Sequence, residues 1–260
     1  GACSRNNETG DQAILLGSIA TTATRAVPDT QIASGQQIGL FIAEDHATPT
    51  TTYTQNLAYT ANGSGGLTGT VQYYPGSGNG VKISAYHPYN SAWTDGAQSY
   101  TFTVKADQSA NADYFASDLL YSVEGQYARS KTAHNLVFGH VLSRITCELE
   151  PGDGLAARDL TGATVKIQGI LPEVTVDLSD GTISAAAGAA VNIIQNNSYG
   201  AVVVPQTVAA GTQFIEVTRS TGGKLYYAIP AGGLTLTGGE STDFTITVNL
   251  TGITLTTSVT

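Results

Sequence analysis

The feature that most constrains the fold of this chain is a regular alternation of short apolar segments with glycine-rich turns. Residues 81–86, for example, alternate apolar and polar side chains with a period of two. Such a period is typical of β-strands, because successive side chains of a strand point to opposite faces. The apolar segments recur at roughly 8- to 12-residue spacing, and no segment has the pattern of a long amphipathic helix. The sequence therefore predicts an all-β protein.

The number of these segments predicts two β-sandwich domains in tandem. The 260 residues suffice for two ordinary domains, and the pattern resets at residues 136–149, a long strand or a bent pair. We expect a tether in residues 1–12, an N-terminal sandwich in residues 13–145 and a C-terminal sandwich in residues 146–260. The predicted strands span residues 38–42, 57–60, 71–75, 81–86, 100–104, 136–149, 163–168, 173–178, 201–204, 214–218, 224–229, 244–250 and 253–259.

An apolar segment near the N-terminus, within residues 11–28, decides between two kinds of function. In a strand, Ile14 and Leu16 would face one side and Leu15 and Ile19 the other. We therefore predict a strand that is buried on both faces, inside a sheet rather than at its rim. A buried strand beside a chain terminus, where chains usually fray, is either a structural cornerstone or a removable plug.

Burial would give this strand a large energetic weight. Each of its four large apolar side chains would contribute about 1.5–3 kcal/mol if fully buried. Together they would contribute roughly 6–12 kcal/mol, which is comparable with the net stability of a whole domain. A protein that loses the strand must then fill the vacated groove or come apart.

The two cysteines occupy different environments in the sequence. Cys3 follows Gly1 and Ala2, and small residues before a cysteine are typical of the end of a bacterial lipoprotein signal. Lipidation of Cys3 would anchor the protein to a membrane surface without a spanning helix. Cys147 lies in an apolar alternation, so we interpret it as a small buried hydrophobe. A disulfide between the two cysteines is the alternative.

The residues that could carry chemistry show no recognised arrangement. No cysteine or carboxylate at a metal-ligand spacing accompanies the histidines, which we interpret as surface or packed side chains. The sequence also lacks a calcium loop, a nucleophile elbow and a phosphate loop. A net charge of −9 argues against nucleic-acid binding. We therefore predict no enzyme activity, no metal and no cofactor. The histidines are His46, His87, His134 and His140.

Two further segments suggest contacts with other molecules. Trp93 lies near several tyrosines; such aromatics usually fill a sandwich core, and a sugar-binding surface is the alternative. The last strand, residues 253–259, runs to the terminus without a closing turn, and a strand of this kind can be offered to a neighbouring molecule.

Several segments together resemble the fimbrillin family of Bacteroidales, the subunits and anchors of pili on the outer cell surface. The resemblance is spread over most of the chain, and residues 138–145 are its strongest single part. The matching segments are Cys3 and residues 23–26, 39–42, 73–76, 85–89, 118–121 and 138–145.

The resemblance implies two tandem transthyretin-like (Greek-key) β-sandwich domains. It also implies export to the outer membrane as a lipoprotein, with Cys3 at the lipidated position. It also implies that an arginine-specific protease cuts after Arg25, so that Ala26 becomes the new N-terminus and lipid and first strand leave together. A strand from the C-terminal region of the next subunit then fills the groove. The matching donor residues would be Ile253, Leu255 and Val259.

We therefore predict a structural or accessory subunit of a cell-surface fimbria. Its partners would be other fimbrial subunits, the processing protease and, before processing, the membrane. One alternative is a tip adhesin or surface lipoprotein that binds a glycan or host receptor through Trp93 and the loops at residues 47–54 and 63–66. Another is an outer-membrane component of a glycan-uptake system.

Overall fold

The computed structural model describes residues 11–20 and 31–260. The predicted lipidation site, Cys3, and the predicted processing site, Arg25 and Ala26, lie outside the described residues, as does most of the predicted tether. The described chain is almost entirely β-structure, with one short α-helix and one short 3-10 helix. The predicted all-β sandwich class is therefore confirmed.

The described residues form nineteen strands, and most follow the period-two pattern of the sequence. Residues 136–149 are a bent pair, β8 and β9, whereas residues 71–75, predicted as a strand, form only an isolated bridge at Tyr73. The elements are β1 Leu16–Ala20, β2 Gln37–Glu44, β3 Leu57–Ala61, β4 Leu67–Gly69, β5 Val81–His87, β6 Ser99–Thr103, α1 Asn111–Ser117, β7 Leu120–Tyr127, β8 His134–His140, β9 Ser143–Pro151, the 3-10 helix Ala157–Leu160, β10 Thr164–Ile170, β11 Glu173–Asp177, β12 Val191–Ile194, β13 Ala201–Val203, β14 Gln206–Val208, β15 Gln213–Thr218, β16 Lys224–Ala228, β17 Leu234–Leu236, β18 Ser241–Asn249 and β19 Gly252–Val259.

The N-terminal half forms a seven-stranded sheet in the order β1-β8-β7-β5-β2-β3-β4. Only the β1–β8 pairing is parallel. The sheet folds over so that its two end strands meet, because Gly17 of β1 bridges Gly66 just before β4. Buried side chains such as Ile38, Ile83 and Phe138 fill the enclosed space and form the first core.

The C-terminal half contains two four-stranded sheets, β12-β10-β15-β16 and β13-β9-β18-β19. Their inner side chains, including Ile167, Phe214 and Phe244, share the second core. The short strands β14 and β17 pair with each other beside these sheets.

The two halves interlock instead of meeting at a simple linker. Strand β6 belongs to the N-terminal half but pairs with β11 of the C-terminal half. Phe41 and Tyr86 of the first sheet also join the second core. The chain changes sheets at the turn between β8 and β9, and the boundary predicted between residues 145 and 146 falls inside β9. The division into two domains stays a prediction.

Candidate functional site: the first strand and its groove

Strand β1 and the residues before it lie in a groove between β8 and residues 65–74. On one side β1 runs parallel to β8, from the pair Leu16–His134 to the pair Ala20–Phe138. The register is fixed at its start by the backbone N–H of His134, which donates to the carbonyl of Leu15 at 3.0 Å. This edge of the groove is an ordinary parallel ladder.

The opposite edge of the same segment is also hydrogen-bonded. The N–H of Ser18 donates to the carbonyl of Gly65 at 2.8 Å. The N–H of Ile14 donates to the carbonyl of Gln72, also at 2.8 Å, and Gln12 accepts from the N–H of Tyr74 at 2.9 Å. The segment is therefore held through its backbone on both sides.

The inner face of the segment enters the first core. Ile14, Leu16 and Ser18 are 3%, 6% and 2% exposed, and the two apolar side chains belong to the same buried cluster as Phe138. The hydroxyl of Ser18 finds no hydrogen-bond partner in the part of the chain that the structure describes. A buried hydroxyl without a partner weakens the hold of the groove on the strand.

The outer face is exposed, and the prediction of a strand buried on both faces is wrong. Leu15 and Ile19 are 44% and 43% exposed, and Val137, the β8 neighbour of Ile19, is 50% exposed. No second layer covers this face among the described residues, where β1 is the end strand of its sheet. Two buried side chains, not four, therefore contribute in full, about 3–6 kcal/mol.

One wall of the groove is tied to a buried carboxylate that the sequence did not reveal as important. Glu44 accepts hydrogen bonds from the Ser77 hydroxyl (2.6 Å) and the Asn79 amide (3.1 Å), and the backbone N–H groups of residues 50 and 51 also donate to it. These bonds, first that from Ser77, lower the pKa of Glu44 to about 2. The hydroxyl of Tyr53 then donates to the carbonyl of Tyr73 in the wall at 2.8 Å.

The predicted donor strand, β19, is a strand in the structure but is folded back on its own domain. It pairs with β18 along its whole length, from Asn249–Gly252 to Thr242–Val259. Within the described residues its other edge pairs with no strand. Ile253 and Leu255 are partly buried against the second core, and Val259 is 58% exposed. This strand is therefore bound through one edge only.

Trp93, for which a ligand surface is the alternative interpretation, is buried. The indole is 4% exposed, and its ring centroid lies 4.9 Å from that of Tyr86 and 5.4 Å from that of Tyr100. Phe102 packs edge-on against it. The aromatic cluster fills the seam between the two halves, since these side chains belong to the second core, in agreement with the core interpretation of the same residues.

Two histidines and an aspartate form a second buried cluster near the same seam. His87 Nδ1–H donates to the backbone carbonyl of Asp118 at 2.8 Å, and His140 Nδ1 lies 3.1 Å from the Asp118 carboxylate. Burial lowers the pKa of His87. A cavity of about 400 Å³ lies over the cluster, lined in part by Phe115 and Tyr199. Both histidines are packed, as interpreted, but their distant positions in sequence gave no sign of the cluster.

The remaining predicted residues are placed as follows. Cys147 is a free, buried thiol, and burial raises its pKa. His46 is exposed and His134 partly buried, each with a backbone hydrogen bond. Groups of three or more potential metal ligands do not occur among residues 11–20 and 31–260. No helix in the same ranges has the length and apolar character needed to cross a membrane.

Comparison with known proteins gives consistent matches. A family model described as fimbrillin-like matches residues 24–260, so the match begins beyond β1. No curated protein matches the chain. A solved structure described as a cell adhesion protein from Bacteroides uniformis is similar with a TM-score of 0.72 at 21% identity, covering 95% of this chain and 97% of that one.

Two further solved structures are similar in fold. One, described as a cell adhesion protein from Bacteroides ovatus, has a TM-score of 0.73 at 16% identity, with 96% of each chain covered. The other is a fimbrial protein from Bacteroides vulgatus, with a TM-score of 0.52 at 15% identity, covering 95% of this chain and 98% of that one.

Proposed function

Because the chain belongs to the fimbrillin-like family and its role is that of a fimbrial subunit at the cell surface, we propose that it enters a fimbria by strand exchange. In this proposal the first strand is cut away and a strand of a neighbouring subunit takes its place. The protein itself is structural, and the chemistry of processing belongs to a protease.

The observation that carries the proposal is the way in which β1 is held in its groove. Removal of residues 11–20 would leave a row of unpaired backbone groups on β8 and another on residues 65–74. It would also open the space that Ile14 and Leu16 occupy in the first core. A slot with hydrogen-bonding edges and an apolar floor is what an extended peptide needs to add itself to a sheet. The vacated groove would therefore bind a replacement strand.

The processing steps are part of the same proposal. We expect the precursor to be lipidated on Cys3 and cut after Arg25, with Ala26 as the new N-terminus. A cut there would leave β1 attached to the rest of the chain by non-covalent contacts only. Incorporation of labelled fatty acid should be lost in a Cys3→Ser variant; equal labelling of this variant would contradict the lipid anchor.

The donor in this proposal is β19. It has one paired edge in its own domain, and its side chains Ile253 and Leu255 are only partly buried there. In the groove it would be paired through both edges, as the β1 segment is. The adhesin alternative at Trp93 has no comparable support, because that side chain is buried.

Digestion with an arginine-specific protease tests the proposal. The expected result is a cut after Arg25, seen by intact mass, followed by a ladder of polymers on gel filtration. Arg25→Ala should abolish both results. Arg158→Ala is the matched control, because Arg158 is exposed in the short 3-10 helix and is not part of the proposal. A stable monomer after the cut, or no cut at Arg25, would contradict the strand-exchange mechanism.

A further inference from the structure

We propose that the groove selects strands by a glycine, and that β19 of a second copy meets this requirement only when it runs opposite to β1. The inference rests on the proposed function, since it concerns which strand the vacated groove accepts. It assigns to the place of Gly17 the role of a size gate, that is, a place in the groove that disfavours any residue larger than glycine.

The gate follows from the space around Gly17. This residue pairs with Asn135 of β8 and bridges Gly66 on the other edge. A Cβ atom built on Gly17 would lie 2.4 Å from the Asn135 Oδ1 atom and 2.9 Å from the carbonyl oxygen of Gly65. Both distances are shorter than a van der Waals contact, so any residue other than glycine must displace something.

The backbone contact is the decisive one of the two. Asn135 is exposed, and its side chain can turn away at little cost. The Gly65 carbonyl cannot move freely, because it accepts the hydrogen bond from Ser18 that holds this edge of the strand. Gly17 is not among the glycines with positive φ. The need for glycine is therefore steric, and in our proposal it extends to any replacement strand that places a residue between Asn135 and the Gly65 carbonyl.

The inner face adds a second requirement. Ile14 and Leu16 are buried in the first core, and Ser18 is a small buried residue that follows the glycine. An incoming strand must therefore present two apolar side chains two residues apart, then glycine, then a small residue. This order is a property of the groove and does not depend on which protein supplies the strand.

The only glycine of residues 241–260 is Gly252. If the strand runs in the same direction as β1 with Gly252 at the place of Gly17, the polar residues Asn249 and Thr251 take the two places that need apolar side chains. Read backward, residues 255, 253, 252 and 251 are Leu, Ile, Gly and Thr, which is the required order. A strand in this direction would be antiparallel to β8, where β1 is parallel, and parallel to residues 65–74, where the bridges of the β1 segment are antiparallel.

In the forward direction, parallel to β8, strand β19 would clash at the place of Gly17. If Ile253 and Leu255 filled the two apolar places in that direction, Thr256 would take the place of Gly17. Its Cβ would then press on the Gly65 carbonyl. Overpacking of this kind costs about 1–3 kcal/mol, which corresponds to a loss of affinity of roughly 5- to 150-fold.

Peptide binding tests the gate. The full chain is cut after Arg25 and depleted of its first strand, and labelled peptides are titrated against it by fluorescence anisotropy. We expect peptides of residues 11–20 and 248–260 to bind, and the changes Gly17→Ala and Gly252→Ala each to weaken binding about tenfold. In the second peptide, Thr254→Ala is the matched control, because Thr254 is exposed; it should change binding less than about twofold.

Disulfide trapping tests the direction. Val137 is exposed and pairs with the place of Ile19, so the subunit carries Val137→Cys. In the reversed direction Leu250 of the peptide takes that place, and in the forward direction Ser258 does. The Leu250→Cys peptide should therefore form the cross-link and the Ser258→Cys peptide should not, since only paired residues come close enough.

The outcomes separate the two proposals. If neither wild-type peptide binds, both the strand exchange and the gate are overturned. If the peptides bind but the alanine variants bind equally well, strand exchange stands and the gate is overturned. A cross-link from Ser258→Cys overturns the reversed direction.

Discussion

The two terminal strands of the described chain, β1 and β19, are held in different ways. The segment of β1 is hydrogen-bonded on both edges and buries Ile14 and Leu16 almost completely. Strand β19 is paired through one edge, to β18, and its apolar residues Ile253 and Leu255 are only partly buried. Strand β1 thus lies deep in a groove, whereas β19 lies at a sheet edge that pairs with no further strand among the described residues.

This difference would give the proposed strand exchange a direction. A β19 strand that leaves its hairpin loses one row of backbone hydrogen bonds and partial burial of two side chains. On entering the groove of another subunit it gains two rows and full burial for the same number of side chains. Each net hydrogen bond contributes about 0.5–1.5 kcal/mol and each buried apolar side chain about 1.5–3 kcal/mol. The comparison therefore explains why a cut subunit would recruit a strand and keep it.

The largest expected effect comes from truncating a side chain that β1 buries in its groove. Leu16→Ala should lower the free energy of unfolding of the uncut protein by about 2–5 kcal/mol, because a buried leucine leaves both a transfer loss and a cavity. Urea unfolding measures this change. Leu255→Ala in β19 is the matched control and should cost clearly less, because Leu255 is only partly buried. Equal losses for the two variants would break the comparison.

The next effect is a loss of stability in acid through Glu44, which is hydrogen-bonded to residues next to the groove wall. The folded protein lowers the pKa of Glu44 from 4.5 to about 2, so folding favours the ionised form. The stabilisation is complete above about pH 4.5 and is lost as the pH falls towards about 2. Wild type should therefore lose stability over this window relative to Glu44→Gln, as measured by thermal unfolding at several pH values. Parallel pH profiles for the two proteins would contradict the assignment.

The sequence predicted which residues form strands better than it predicted what covers them. Period-two alternation located β5, β18 and β19, because it depends on local geometry alone. It also showed that Leu15 and Ile19 share a face, but it could not show that both side chains are exposed, with no layer over them among the described residues. Whether an apolar face is covered depends on strands far away in the sequence.

The same limit applies to the seam between the two halves. The pairing of β6 with β11 joins residues about 75 positions apart, and no local pattern specifies such a contact. Trp93 was correctly interpreted as core only through the general habit of aromatic side chains. The cluster of His87, Asp118 and His140 has no spacing that a motif could record.

The smallest expected effect concerns an unpaired hydroxyl that β1 buries in its groove. Ser18 is 2% exposed, and its hydroxyl has no hydrogen-bond partner among the described residues. Ser18→Ala removes the desolvated hydroxyl and keeps a small side chain, so it should raise the free energy of unfolding by about 1 kcal/mol. Ser258→Ala on the exposed edge of β19 should change it by less than about 0.5 kcal/mol.

The same substitution also bears on exchange. If the unpaired hydroxyl loosens β1 in its groove, Ser18→Ala should slow the release of the first strand after the cut at Arg25, measured as the rate at which polymers grow. The first strand would then be held less tightly than a strand with alanine at the same place. A destabilised Ser18→Ala variant that polymerises faster would show that the Ser18 hydroxyl stabilises β1 in its groove.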